Sequence, residues 1–104
     1  MIRRTSGPEG LSVTGVIDYY NLDSFARSLD ASLEGEGDLH IDLSQLEFCD
    51  VGGIRVLVAA AERLNGRRRL VLHGLPSQLQ IVMTAVGWAD LPGLVIGETE
   101  VVDG

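Results

Sequence analysis

The chain has no lysine, one cysteine (Cys49) and no long apolar run. Each absence excludes something. Without lysine, Gly52-Gly53 cannot be part of a phosphate-cradling loop of the usual kind, and no P-loop, GxGxxG, CxxC or HExxH pattern occurs. A lone thiol forms no intramolecular disulfide, so the fold must rest on its core. No stretch reaches the roughly 20 apolar residues that cross a bilayer. The first ten residues lack the apolar centre of a signal peptide, so a cytoplasmic location is expected. Positive charge is scarce too: eight basic residues, all arginine, face fifteen acidic ones, giving a net charge of -7. That balance repels a nucleic-acid backbone, and no nucleic-acid partner is expected.

What is present is 104 residues, 45% hydrophobic and 22% charged, with a mean hydropathy of +0.20. This is the balance of a compact domain rather than of a disordered chain. One domain over 1–104 is expected, with a core from about 8 to 97 and a tail at 98–104 that frays.

Periodicity supplies the elements. Leu11 to Ile17 alternates like a strand. Asn21 stands as an N-cap before Leu22, Phe25, Ala26, Leu29 and Leu33, an amphipathic helix that Gly35 stops. Leu39, Ile41 and Leu43 mark a second strand, and a second helix carries Ile54, Leu57, Val58, Ala61 and Leu64 up to Asn65-Gly66. Leu70 to His73 forms a strand, and a third helix from Ser77 carries Leu79, Val82, Met83 and Val86 to Gly87. Leu94 to Ile96 closes the pattern as a last strand. Strands alternating with helices predict a largely parallel sheet covered by crossover helices.

Catalytic inventory is thin. His40 and His73 lie in strand segments and read as hydrogen-bonded sheet residues. Cys49, beside Phe48, reads as a small buried hydrophobe. Arg67-Arg68-Arg69 reads as a solvated turn between helix and strand, with a salt bridge to an acidic partner as the other reading. Trp88 reads as a cap on the core. An enzyme is not expected, nor a cofactor or metal.

The informative segment is residues 42 to 57, Asp-Leu-Ser-Gln-Leu-Glu-Phe-Cys-Asp-Val-Gly-Gly-Ile-Arg-Val-Leu. Asp50 can cap a helix whose first turn holds Val51, Gly52 and Gly53. Adjacent glycines there cost about 1 kcal/mol each relative to alanine. Two readings stand: a functional site that needs bare backbone, or a tight turn with no room for Cβ.

This segment resembles the signature of STAS domains, the family that includes bacterial anti-sigma factor antagonists. Asp42-Leu43-Ser44, Phe48, Asp50, Gly53 and Ile54 match its pattern of a strand ending in Asp-Leu-Ser, then an aromatic, then Asp-Ser-Ser/Thr-Gly-Leu at a helix start. Gly15-Val16-Ile17-Asp18 resembles a second family segment, Gly-Glu-Leu/Ile-Asp. The resemblance implies an α/β single domain of STAS type, a mixed sheet flanked by helices, with an additional N-terminal strand.

It also implies a binding face made of Asp18, Asp50, Val51, Gly52, Gly53 and Arg55, near Tyr19 and Tyr20. Arg55 reads equally as a charged contact or as a solvated helix residue. In phosphorylated members the residue after the motif aspartate is a serine that accepts phosphate from a kinase partner. Here it is Val51, and Gly52 follows, so neither position carries a hydroxyl. The implied function is a regulatory binding module without that switch. Its implied partner is an anti-sigma factor or related histidine-kinase-like ATPase. The alternative is a STAS accessory subunit of an ABC-type lipid transport system, docking on the transporter ATPase.

Overall fold

The computed structural model describes the backbone of residues 2–5 and all of residues 10–97. The expected tail at 98–104 lies outside the described residues. The elements run β1 (Ile2–Thr5), β2 (Gly10–Val13), β3 (Gly15–Ile17), α1 (Leu22–Ala31), β4 (Leu39–Asp42), β5 (Leu46–Cys49), α2 (Val51–Leu64), β6 (Leu70–His73), α3 (Ser77–Ala85), a 3₁₀ turn (Trp88–Asp90) and β7 (Leu94–Ile96). Five strands form one sheet in the order β1-β2-β4-β6-β7. Among the described residues only the β1–β2 pair is antiparallel. The fold is thus the mixed sheet with helices that the resemblance implied, including its N-terminal strand.

Strand order from β2 to β7 never reverses, so right-handed crossovers place successive helices on one face. The helices accordingly touch one another, α1 against α2 and α2 against α3. Alternation then sorts the sheet residues. Leu11, Val13, Leu39, Ile41, Leu70, Leu72 and Leu94 are buried toward the helices, where they meet Phe25, Leu29, Ile54, Leu57 and Met83. Ser12, His40, Asp42, His73 and Val95 alternate with them and are only half-buried.

The sequence from Leu11 to Ile17 is not one strand. It breaks at Thr14, and Gly15 takes φ of +88°, a left-handed conformation that favours glycine. Beyond it, β3 leaves the large sheet and pairs in parallel with β5, placing Val16 opposite Phe48 and Ile17 opposite Cys49. Periodicity alone did not reveal β5, because four residues with two exposed positions carry too little alternation.

Two further expectations are corrected. Asn21 sits at the N-cap position of α1 but makes no capping bond. Its side chain turns back instead, accepting from Asp18 N at 3.0 Å and donating to the Val16 carbonyl at 2.7 Å. The helix also ends at Ala31, before Leu33 and Gly35.

Arg68 explains how the chain beyond α1 is held, and it is the member of the arginine run that departs from a solvated turn, since Arg67 and Arg69 are exposed. Only 4% of Arg68 is exposed. Its guanidinium donates to the carbonyls of Leu33, Glu34, Glu36 and Gly37. Arg67 donates to the Leu64 and Arg63 carbonyls at the end of α2, and Arg69 pairs with Asp38 at 2.9 Å. In α3 the expected stripe is only partly inward: Met83 is buried, whereas Val86 is exposed.

Candidate functional site

The segment between β5 and α2 is built as the sequence suggests. Asp50 is the N-cap of α2, extended at φ −88° and ψ 179°, and its carboxylate accepts from Gly53 N at 3.2 Å. Its own N–H donates to the Ile17 carbonyl at 3.2 Å. That bond ties the start of α2 to the end of β3, so the motif and the Asp18 turn are neighbours.

The two glycines now have a packing reason. A Cβ on Gly53 would fall 2.5 Å from Cys49 Sγ and 2.9 Å from Ile17 Cγ2. Real side chains do not approach so closely, and α2 can sit on the β3–β5 pair only if residue 53 has no side chain. A Cβ on Gly52 would meet Leu22 Cδ2 and Asp50 Oδ1, both at 3.1 Å. Of the two readings left open, the tight turn accounts for Gly53 and for much of Gly52. The helix-propensity cost is offset by close packing of three elements.

Around this packed base the surface is unusually apolar. Val51 is 46% exposed and Phe48 54%, while Val16, Phe48's cross-strand partner, is exposed beside it. Tyr20 is 90% exposed, and Tyr19 meets it edge to face with ring centres 5.6 Å apart. Among the described residues these five stand at the β3–β5 ladder, the turn after β3 and the start of α2, while two other exposed large hydrophobic residues, Ile81 and Val86, lie on and just after α3. A groove of about 140 Å³, lined by Leu46, Phe48, Pro76 and Leu79 among others, borders the ladder. Sequence reading placed Phe48 in an apolar stretch and gave Val16 no role. Their exposure follows from the β3–β5 ladder, which periodicity did not detect.

The other candidate residues fall as follows. Asp18 accepts from Tyr20 N at 3.0 Å, and its carbonyl accepts from Asn21 N, so it shapes the turn that presents the tyrosines. Arg55 is exposed in the second turn of α2. Cys49 is buried as expected; burial, with a smaller push from the Asp50 charge, raises its thiol to about 11, so it stays protonated and unreactive at neutral pH. A larger cleft of about 450 Å³ lies between the ends of α1 and α2. Of the charged groups lining it, Arg63 pairs with Asp30 while Arg67 and Arg68 donate to backbone carbonyls, so these side chains already serve the fold. Among the described residues, no helix is long and apolar enough to cross a membrane.

A mixed sheet with one helical layer, and an Asp-capped helix rising from a second small ladder, define a STAS domain. The chain belongs to that family: the family model described as Mlab, STAS domain, matches residues 1–96. Among solved structures, the fold is similar to that of an anti-sigma factor antagonist from Mycobacterium paratuberculosis. That match has a TM-score of 0.69 and 22% identity over 91% of this chain and 82% of that one. It is also similar to the anti-sigma factor antagonist SpoIIAA in its unphosphorylated form, with a TM-score of 0.64 and 11% identity over 95% of this chain and 87% of that one. At these identities the likeness is one of fold. No curated protein sequence matches.

Proposed function

We propose that the protein is a non-enzymatic regulatory module that docks on an ATPase-fold partner through the face formed by Asp18, Asp50, Val51, Gly52, Gly53 and Arg55. Val16, Tyr19, Tyr20 and Phe48 widen that face. The observation that carries the reading is the cluster of exposed apolar groups around the capped start of α2. Val51 supplies an apolar contact where phosphorylated relatives carry a hydroxyl, and Gly52 offers no substitute. The domain therefore acts as a constitutive binder of anti-sigma antagonist type, and its partner is a histidine-kinase-like ATPase.

The family description favours a second reading, an accessory subunit of an ABC-type lipid transporter docked on the transporter ATPase. Both readings use the same face and differ in the partner. Affinity capture of the tagged protein from its native lysate, with mass spectrometry of partner and intact bait, separates them. A histidine-kinase-like ATPase on an unmodified bait supports the first, and a transporter ATPase supports the second. A stoichiometric phospho-form of the bait, at Ser44 for instance, contradicts constitutive action.

A further inference from the structure

The sheet face turned away from the helices carries a pair of residues that the docking reading does not use. His40 on β4 and His73 on β6 lie on adjacent parallel strands, where His40 stands opposite Val71 and Asp42 opposite His73. Nδ1 of His40 and Nε2 of His73 are 2.8 Å apart, with ring centres at 5.0 Å and ring planes 22° from parallel. The two nitrogens therefore lie nearly on the line between the ring centres, and the rings meet edge to edge rather than face over face. One imidazole donates and the other accepts, so one proton sits between two converging nitrogen atoms. Both residues are half-buried and within reach of solvent.

We propose that His40 Nδ1 and His73 Nε2 form a two-imidazole chelate for a borderline divalent transition ion, with Cu²⁺ bound more tightly than Ni²⁺ or Zn²⁺. Metal–imidazole bonds of about 2.0–2.1 Å set at a tetrahedral angle put the two nitrogens about 3.3 Å apart. Reaching that arrangement takes about half an ångström of separation and a turn of each ring by about 35°, so that lone pairs now facing each other both point at the ion; pivoting about the side-chain torsions supplies both. The strands stay in place, held at this point by Leu43 N donating to the His73 carbonyl at 2.8 Å.

Proton balance is simple. The bridging proton leaves to solvent, and the ring that donated it takes one up on its outer nitrogen, so both ligands bind as neutral imidazoles. Gly97 leaves room at the outer edge of His73, where a Cβ would come 3.0 Å from Nδ1.

Among the described residues no third histidine, cysteine or carboxylate completes a cluster. Asp42, opposite His73 in the ladder, is engaged by Ser44, accepting from its N–H at 2.9 Å and its hydroxyl at 2.7 Å. Water fills the remaining positions, so the site is reversible and of moderate affinity. Its effect is to staple the two central strands, β4 and β6.

Zn²⁺ titration of the full chain, followed by imidazole ¹H–¹⁵N NMR, tests this directly, because the ion is diamagnetic and the chain has two histidines. The expected result is a saturable shift of both ring systems at one equivalent of ion, reversed by EDTA. His40→Gln and His73→Gln should each lose affinity by about tenfold or more. Absence of a saturable shift in the unmodified protein at millimolar Zn²⁺ overturns the proposal without any variant. So does binding that persists undiminished in both variants, which would place the ion on the acidic surface.

Discussion

The two ends of α2 handle their exposed groups in opposite ways. At the C-terminal end the densest positive charge in the chain is consumed internally: Arg68 holds the carbonyls after α1, Arg67 caps α2 and Arg69 pairs with Asp38. At the N-terminal end Val16, Phe48, Val51 and two tyrosines stand in solvent with no core to cover them, beside half-buried Asp18 and Asp50 and exposed Arg55. A run of like charges invites a functional reading, but here it belongs to the fold. The apolar residues, which sequence rules assign to the interior, are the ones left free for a partner.

Substitutions can break this contrast, and the largest effect belongs to the structural end. Arg68→Ala leaves one buried and three part-buried carbonyls without this donor and should cost about 3 kcal/mol of stability in urea denaturation. Arg68→Lys should recover little of that, since an ammonium cannot reach four carbonyls as a planar fork does. If Arg68→Ala is nearly neutral, the arginine run is a surface feature after all.

Gly53→Val comes next. Helix propensity alone would favour a side chain at this position, but the clash with Cys49 and Ile17 outweighs it, and a loss of about 2 kcal/mol is expected from overpacking. A stabilised variant would return Gly53 to the functional reading.

Val51→Asp sharpens the comparison from the other side. A carboxylate in the first turn suits the helix dipole, so thermal stability should change by about 0.5 kcal/mol or less. Partner affinity should nonetheless fall about tenfold, because charge enters an apolar docking surface. Loss of binding with intact folding is the signature of a contact residue.

Asp42 gives a smaller, pH-dependent effect. The Ser44 hydroxyl and N–H bonds hold its carboxyl below the ordinary 3.8, with the His73 charge adding to them. A lowered folded value means that its stabilisation is complete above the unfolded value and is lost as pH falls through the folded one. Asp42→Asn should therefore flatten the acid limb of the stability curve below about pH 4. Smallest of all, Arg63→Ala removes an exposed ion pair with Asp30 and should cost about 0.5 kcal/mol.

Sequence carried much of the fold because most elements have strong local signals. β6 and β7 fall on the short apolar runs read as strands, and α2 ends at Asn65 in the left-handed conformation that Asn-Gly suggests. Signals failed where tertiary structure overrode pattern. The alternation of 11–17 is continuous in sequence, but Gly15 redirects the chain into a second ladder whose partner, β5, is too short to announce itself. Missing that ladder hid the exposure of Val16 and Phe48. Arg68 could not be told from its neighbours because three adjacent arginines look alike until the loop after α1 folds around one of them. His40 and His73 are 33 residues apart, and only the β4–β6 register brings them together.

The central claim is that the partner docks at the N-terminal end of α2 and not at its arginine-rich end. Dissociation constants of the captured ATPase for the unmodified protein, Val51→Asp and Arg63→Ala test it most directly. The account predicts about a tenfold or greater loss for Val51→Asp and no change for Arg63→Ala. Unchanged affinity for Val51→Asp, with the loss falling on Arg63→Ala, would contradict it and move the interface to the opposite end of the helix.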